Sequence, residues 1–188
     1  AELGRTLSEG EVFQLANIRN EALSEEAYFR IIRGKTAALF SACAELGAIT
    51  AGADEALVQA ARSFGENVGI CFQIRDDIFD YYEDARIGKP TGNDMREGKL
   101  TLPALYALGR SGDAGMQALA RKVKACEATD EEIARLVAFT KAQGGIEYAR
   151  SVMSRYKDAA TRDLEAFSAP DIIQSLQDYL AFVIGREI

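Results

Sequence analysis

Histidine is absent from this 188-residue sequence, and cysteine and proline are rare. Without histidine, the chain has neither a Ser-His-Asp nor a Cys-His catalytic arrangement, and no zinc site that uses histidine. Three cysteines, Cys43, Cys71 and Cys126, are widely spaced in apolar contexts, which predicts buried, reduced thiols and a cytoplasmic protein. Chemistry at neutral pH is therefore left to carboxylates, lysines and a metal ion.

Long hydrophobic runs and a positive net charge are also missing. The sequence contains no secretory signal segment and no apolar stretch long enough to cross a bilayer. A formal net charge of −7 disfavours attraction to nucleic acid or to an anionic membrane. A ligand that carries phosphate would therefore have to be bound by local lysines and metal ions.

The residues that are abundant favour helix, because alanine, leucine, glutamate and arginine fill most of the chain. Helical periodicity and stop signals predict about seven helices, no strand, and a single all-helical domain over residues 1–188. The one clear loop is predicted at residues 84–99, which are rich in glycine. The expected helices begin at Ser8, at caps Ser24, Asp54 and Thr101, and near residues 113, 130, 145 and 171.

The longest predicted helix has a wide apolar side and a narrow polar side. Its apolar side chains between residues 64 and 82 cover an arc of roughly 200°, which also includes Arg75. The opposite side carries four polar residues within roughly 100°, namely Gln73, Asp76, Asp77 and Asp80. On charge alone, a solvated face explains this stripe equally well.

Three features favour a metal site on that polar side over a solvated face. The apolar arc is wider than a surface helix needs, and no lysine follows at i+4 to relieve the like charges. Gly65 and Gly69 lie at the edge of the polar side, where they would leave room for a bulky ligand. Ligands that offer oxygen alone suit Mg²⁺ or Mn²⁺.

Lysines in two further segments are candidates for phosphate binding. Lys89 and Lys99 flank a glycine-rich stretch just after the aspartates, which in isolation also fits an ordinary surface connection. Lys35 lies beside an apolar stripe, where a lysine most often extends along the surface to reach water.

Read together, these elements resemble the trans-isoprenyl (polyprenyl) diphosphate synthase family. The order and spacing agree over about residues 8–106. The matching stretches are GEVFQ at 10–14, KTAALF at 35–40, FQIRDDIFDY at 72–81, and the segment from Gly88-Lys89 to Lys99-Leu100-Thr101-Leu102-Pro103. The third stretch resembles the second aspartate-rich motif of the family, DDxxD.

The resemblance implies an all-α bundle of the isoprenoid synthase type and a role for each matching residue. The three aspartates would coordinate Mg²⁺ that bridges to an allylic diphosphate, and Lys35, Lys89 and Lys99 would bind that diphosphate. Thr36 and Gln73 would face the reacting carbons and stabilise the allylic cation. Isopentenyl diphosphate would then attack in a 1′-4 head-to-tail condensation.

One family feature has no counterpart in this sequence. Family members carry a first aspartate-rich motif, DDxxxD, on an earlier helix, and basic residues around it bind isopentenyl diphosphate. We therefore expect the 188 residues to be a fragment, incomplete at the N-terminus, with little activity alone. Full-length members of the family are usually homodimers, so the resemblance also implies a homodimer. An incomplete bundle would in addition expose apolar surface, which favours self-association.

Two other functions remain open on the sequence alone. A class I terpene synthase or a squalene/phytoene synthase relative would share ionisation of an allylic diphosphate, but the glycine–lysine loop favours chain elongation. The other is a non-catalytic subunit that regulates a prenyl synthase. The charged residues of the site argue against complete loss of the site, but not against a regulatory fragment. Product length, allylic primer and downstream pathway are not determined by the sequence.

Overall fold

The computed structural model describes residues 2–18, 24–82 and 91–185. These residues are helical, with no strand among them, which confirms the predicted all-α class. The helices are α1 (Glu2–Ile18), α2 (Glu25–Ile32), a π-helix (Arg33–Ala37), α3 (Ala38–Thr50), α4 (Glu55–Phe79), α5 (Asn93–Arg96), α6 (Leu102–Ser111), α7 (Ala114–Lys124), α8 (Asp130–Ala142), α9 (Gly145–Asp163), a 3-10 turn (Leu164–Ala166) and α10 (Pro170–Gly185).

Three predictions about where helices lie were wrong. α1 begins at Glu2, because the Ser8 hydroxyl donates within the helix to the Gly4 carbonyl (2.9 Å) and does not cap it. The predicted helix from Ser24 onward is interrupted by the π-helix. Within the predicted loop, residues 84–90 lie outside the described residues, and the part that follows contains the short helix α5.

Helix caps were predicted more accurately than boundaries. The Ser24 hydroxyl accepts from the Ala27 amide at 3.2 Å, and the Asp54 carboxylate accepts from the Leu57 amide at 2.9 Å. Thr101 precedes α6 with extended backbone, as expected of a cap. Its buried hydroxyl, however, lies 3.5 Å from the hydroxyl of Tyr81 and makes no capping hydrogen bond in the described part of the chain.

The described residues form two compact units. One comprises the described residues within 1–11, 30–75 and 152–187, and the other those within 12–29 and 76–151. α4 contributes to both, up to Arg75 in the first unit and from Asp76 in the second. The single domain expected from the sequence stays a prediction.

The core of the first unit is built by α4, α9, the 3-10 turn and α10. Its buried members are Phe64, Val68, Ala160, Leu164, Leu180 and Val183. Arg75, the one charged residue on the apolar side of α4, is buried in the same unit. Its guanidinium donates to the Val183 carbonyl near the end of α10 and lies 5.3 Å from the centre of the Phe72 ring.

Gly65 and Gly69 allow α4 to pack closely against its neighbours in the first unit. A Cβ atom on Gly65 would lie 2.5 Å from the Phe40 carbonyl oxygen, and one on Gly69 would lie 2.6 Å from the Cα of Ala37. Backbone atoms therefore occupy the space that was predicted to receive a ligand. That prediction was wrong, because these glycines serve helix packing.

In the second unit, α6 and α8 supply many of the buried side chains, including Leu102, Leu108 and Leu136. Near them the rings of Tyr106 and Tyr148 stack with their centres 4.0 Å apart. The Tyr148 hydroxyl donates to Glu25 at 2.9 Å, which joins α9 to the first turn of α2.

The three cysteines are free thiols, as predicted, but only Cys71 is buried. Cys43 and Cys126 are exposed, so the prediction of three buried thiols was wrong for two of them. Apolar neighbours in sequence did not imply burial, because Cys43 projects from the same exposed side of α3 as Leu39 and Leu46. Among the described helices, none is both long and apolar enough to cross a membrane.

Candidate active site

Lys35 and Thr36 lie in the π-helix of the first unit. A π-helix forms a wider turn than an α-helix, and such turns are frequent at functional sites. The turn packs against α1 at a glycine pair, since a Cβ atom on Gly10 would lie 2.7 Å from the carbonyl carbon of Gly34 and the amide nitrogen of Lys35. Glycine at position 10 therefore allows the backbone that carries Lys35 to contact α1.

Thr36 and Gln73 form a hydrogen-bonded pair in the first unit. The Thr36 hydroxyl donates to Oε1 of Gln73 at 2.8 Å, although the two residues are 37 positions apart in sequence. Both side chains are half-buried. The structure therefore brings together the two residues that were predicted to face the reacting carbons.

The Lys35 ammonium group has a carboxylate partner in the same unit. Its Nζ lies 3.1 Å from Glu11, and the Lys35 side chain is 37% exposed. At this exposure an ion pair contributes little stability, typically ~0–1 kcal/mol. Exchange of Glu11 for a diphosphate oxygen would therefore cost little.

Asp77 is buried in the second unit and bound by a tyrosine. The Tyr28 hydroxyl donates to Oδ2 of Asp77 at 2.6 Å, and Asp77 is only 3% exposed. Burial raises the pKa of Tyr28 well above its ordinary value, and the charge of Asp77 raises it further. The phenol therefore remains a proton donor to this carboxylate at every physiological pH.

The Asp80 carboxylate binds the backbone at the start of α5. Oδ1 accepts from the Asn93 amide at 3.0 Å and from the Asn93 side chain at 3.2 Å. Oδ2 accepts from the Asp94 amide at 3.0 Å, and the Asp80 carbonyl accepts from the Gly92 amide at 2.8 Å. One residue at the end of α4 thus fixes three consecutive residues of the following segment.

The three aspartates differ in their fit to a metal ion. Among the described residues, no group of three or more His, Cys, Asp or Glu side chains is arranged to hold one. Asp77 is buried against Tyr28, and Asp80 binds the start of α5, so neither carboxylate fits as arranged. Asp76 is half-buried in the last turn of α4. Mg²⁺ binds proteins through one or two carboxylates, so a single aspartate of this kind is enough to make a candidate ligand.

Of the two predicted phosphate-binding lysines in the glycine-rich segment, the structure describes Lys99. Its ammonium group forms ion pairs with Asp94, at 3.9 Å, and with Glu97, and its side chain is 26% exposed. Lys89 lies outside the described residues, so its role stays a prediction.

Sequence reasoning gave no role to Glu11, Tyr28, Asn93 or Asp94, which contact the candidate residues directly. Tyr28 is 49 residues from Asp77 along the chain, and Asn93 is 13 residues from Asp80. No helical or strand period connects positions so far apart. The one available signal was the run Gly92-Asn93-Asp94, whose residue types favour turns and helix starts.

Known proteins resemble this chain in sequence as well as in fold. The sequence matches the family Polyprenyl synthetase over residues 1–140. It is 37% identical over 167 residues to octaprenyl diphosphate synthase of Haemophilus influenzae, which covers 88% of this chain and 50% of that protein. Membership of the family also fits the absence of strands from the described residues.

Two solved structures have closely similar folds. Geranylgeranyl pyrophosphate synthase from Bacteroides thetaiotaomicron superposes with a TM-score of 0.92 at 53% identity, over 98% of this chain and 61% of that one. Polyprenyl synthase from Caulobacter crescentus, complexed with calcium and isoprenyl diphosphate, gives a TM-score of 0.90 at 36% identity, over 100% of this chain and 58% of that one.

The matched lengths are unequal, since this chain spans about half to three-fifths of these three relatives. The match to the solved structure nevertheless covers nearly all of this chain, and the family match includes the candidate residues of each unit, from Lys35 to Lys99. The chain therefore belongs to the polyprenyl synthetase family.

Proposed function

We propose that this chain forms part of a prenyltransferase that condenses an allylic diphosphate with isopentenyl diphosphate in a 1′-4 head-to-tail reaction. The observation that carries the proposal is family membership over a region that includes every candidate residue from Lys35 to Lys99. The hydrogen-bonded pair Thr36–Gln73 supports it, because the two residues assigned to the reacting carbons are in contact.

Diphosphate binding is assigned to Lys35 and Lys99, together with Lys89. Lys35 is paired with Glu11, and Lys99 with Asp94 and Glu97, so both ammonium groups already have carboxylate partners. A diphosphate carries more charge than one carboxylate and would compete well for the same ammonium groups. This exchange would orient the leaving group and stabilise the charge that develops on it.

Magnesium is the proposed metal ion, with Mn²⁺ as a substitute. When bound, the ion would supply positive charge that favours departure of the diphosphate. Asp76, which is half-buried in the last turn of α4, is the described aspartate that we assign to this ion. The polyprenyl synthase from Caulobacter crescentus is complexed with calcium and isoprenyl diphosphate, which supports binding of a hard divalent cation together with a diphosphate.

The reacting carbons are assigned to Thr36 and Gln73. Their oxygen atoms carry partial negative charge, and the hydrogen bond between them restricts how the side chains can turn. Such preorganised dipoles stabilise an allylic cation as the C1–O bond breaks. The double bond of isopentenyl diphosphate then attacks C1, and the released pyrophosphate accepts the proton that is lost.

A homodimer in the cytoplasm is the proposed assembly and location. The exposed apolar side chains Leu39, Leu46 and Ile49 of α3, and Phe182 of α10, support self-association. Sedimentation velocity over a range of concentrations tests this, and a monomer at all concentrations would contradict it. The related proteins make octaprenyl and geranylgeranyl products, so product length is not assigned.

The first experiment is calorimetric titration of pyrophosphate into the purified chain with and without Mg²⁺. We expect binding that requires the metal and that is lost in Asp76→Ala. Asp158→Ala, which removes an exposed aspartate of α9, is the matched control and should bind as the unmodified chain does. Binding that needs neither Mg²⁺ nor Asp76 would contradict the proposed function.

A further inference from the structure

Asp80 is the residue at which the sequence-based role and the observed contacts disagree most. The resemblance makes it a metal ligand, yet its carboxylate accepts from the Asn93 amide, the Asn93 side chain and the Asp94 amide at 3.0–3.2 Å. A carboxylate has about four lone-pair positions for such bonds. Three donors therefore occupy most of these positions on Asp80, and a metal ion bound there would share the carboxylate with them.

These donors need a partner that their own segment does not provide. Gly92 precedes α5 in the left-handed conformation, with φ of 78°, and has no side chain with which to cap the helix. The first amides of a helix lack acceptors within the helix, and a four-residue helix is too short to persist without outside support. Asp80 supplies this cap from the end of α4.

Contacts other than those of Asp80 fix the remainder of α5 and the residues beside it. Met95 is 3% exposed, and a Cβ atom on Gly92 would lie 2.7 Å from the side chain of Ile133. Arg96 donates to Asp130 of α8 at 2.8 Å and to the Thr91 carbonyl at 2.8 Å. The end that lies next to α4 is the one fixed by Asp80.

We infer that Asp80 is a positioning residue, which clamps the start of α5 to the end of α4, and not a direct metal ligand. The clamp determines where the segment presents Asp94 and Lys99, which form an ion pair with each other. The evidence for the clamp is the set of hydrogen bonds between Asp80 and the start of α5, which does not depend on the proposed function. Its consequence for diphosphate binding rests on the proposed function.

The clamp is tested first without any metal, by hydrogen exchange of the Asn93 and Asp94 amides followed by NMR in the full 188-residue chain. Asp80→Ala should lower the protection of both amides by about tenfold, because a lost cap frees a helix end to open. Asp76→Ala, one turn earlier on α4, is the matched control and should leave both amides protected. Equal protection in Asp80→Ala and the unmodified chain would overturn the clamp.

The metal-ligand alternative is tested by the conservative variant Asp80→Asn. Asparagine caps helices about as well as aspartate but lacks the charge that a ligand for Mg²⁺ needs. We therefore expect Asp80→Asn to regain most of the protection at Asn93, and to bind pyrophosphate with Mg²⁺ much more tightly than Asp80→Ala. Binding by Asp80→Asn as weak as that of Asp80→Ala would overturn the inference.

A final measurement uses the unmodified chain with Mg²⁺ and pyrophosphate added. If Asp80 is a clamp, the Asn93 and Asp94 amides stay as protected as before, whereas recruitment of Asp80 by the metal would reduce their protection and overturn the inference. Failure of the unmodified chain to bind pyrophosphate would count against the proposed function, and the metal-free exchange would still decide the clamp.

Discussion

Asp77 and Asp80 each have hydrogen-bond donors within the chain that fix the carboxylate. Tyr28 donates to Asp77 inside the second unit, and backbone amides donate to Asp80. Two aspartates three positions apart, one in the last turn of α4 and one just after it, therefore have different environments, although their spacing makes them look equivalent. Asp77 is buried and bound by a tyrosine, whereas Asp80 is half-buried and bound by backbone amides.

Tyr28→Phe tests the first of these partners. Removal of the hydroxyl takes a hydrogen bond from a carboxylate that is only 3% exposed. We expect the free energy of unfolding to fall by about 1–3 kcal/mol, as is typical when a donor to a buried charged group is lost. The measurement is urea unfolding, with Tyr179→Phe on the exposed side of α10 as the matched control.

A double-mutant cycle separates this hydrogen bond from general packing effects. If the bond carries the loss, Tyr28→Phe should cost much less in an Asp77→Ala background than in the unmodified chain. Equal effects of Tyr28→Phe and Tyr179→Phe on unfolding would show that the bond contributes nothing measurable.

At the scale of elements, close backbone packing decides where the candidate residues of the first unit lie. The π-helix that carries Lys35 and Thr36 contacts α1 at Gly10 and Gly34, and it contacts α4 at Gly69. Side chains at these positions would push the helices apart. The hydrogen bond between Thr36 and Gln73 depends on the same separation of the π-helix and α4.

Gly69→Ala tests that dependence. The added Cβ would lie 2.6 Å from the Cα of Ala37, a backbone atom that cannot move aside easily. We expect a loss of about 1–3 kcal/mol in the free energy of unfolding, the usual cost of overpacking. Gly47→Ala on α3 is the control, because nothing lies within 4 Å of its added Cβ and alanine favours helix. If both variants are equally stable, close packing at Gly69 does not constrain the helices.

For the whole molecule, buried thiol and phenol groups make the free energy of unfolding depend on pH in the alkaline range. Burial raises the pKa of Cys71 from its ordinary 9.0 to about 12, and it raises the pKa of Tyr28 and Tyr81 as well. The folded chain therefore keeps protons that the unfolded chain releases. Such stability is fully present below the unfolded pKa and is lost as pH rises towards the folded pKa.

We expect the free energy of unfolding to decline between pH 9 and about 12, by up to ~1.4 kcal/mol per pH unit from Cys71 alone. Urea unfolding at a series of pH values measures this slope. Cys71→Ala should flatten it just above pH 9, and Cys43→Ala, which removes an exposed thiol, should not. In the native state only Cys43 and Cys126 should react rapidly with a thiol reagent. Rapid reaction of Cys71 would contradict its burial.

The sequence by itself determined the features that depend on neighbours along the chain. Helical periodicity gave the all-α class, and local residue types gave the caps at Ser24 and Asp54. The ordered motifs pointed to the family to which the chain belongs. The assigned roles of Lys35, Thr36 and the other site residues stay predictions.

Only the tertiary structure decided which partner each of these residues has. Asp77 meets a tyrosine 49 positions away, and Asp80 meets amides 13 and 14 positions away. Gly69 packs against the backbone of Ala37 and leaves no space for a ligand there. Periodicity relates residues within one helix, whereas contacts between helices depend on how their backbones approach, and no local pattern in the sequence specifies that distance.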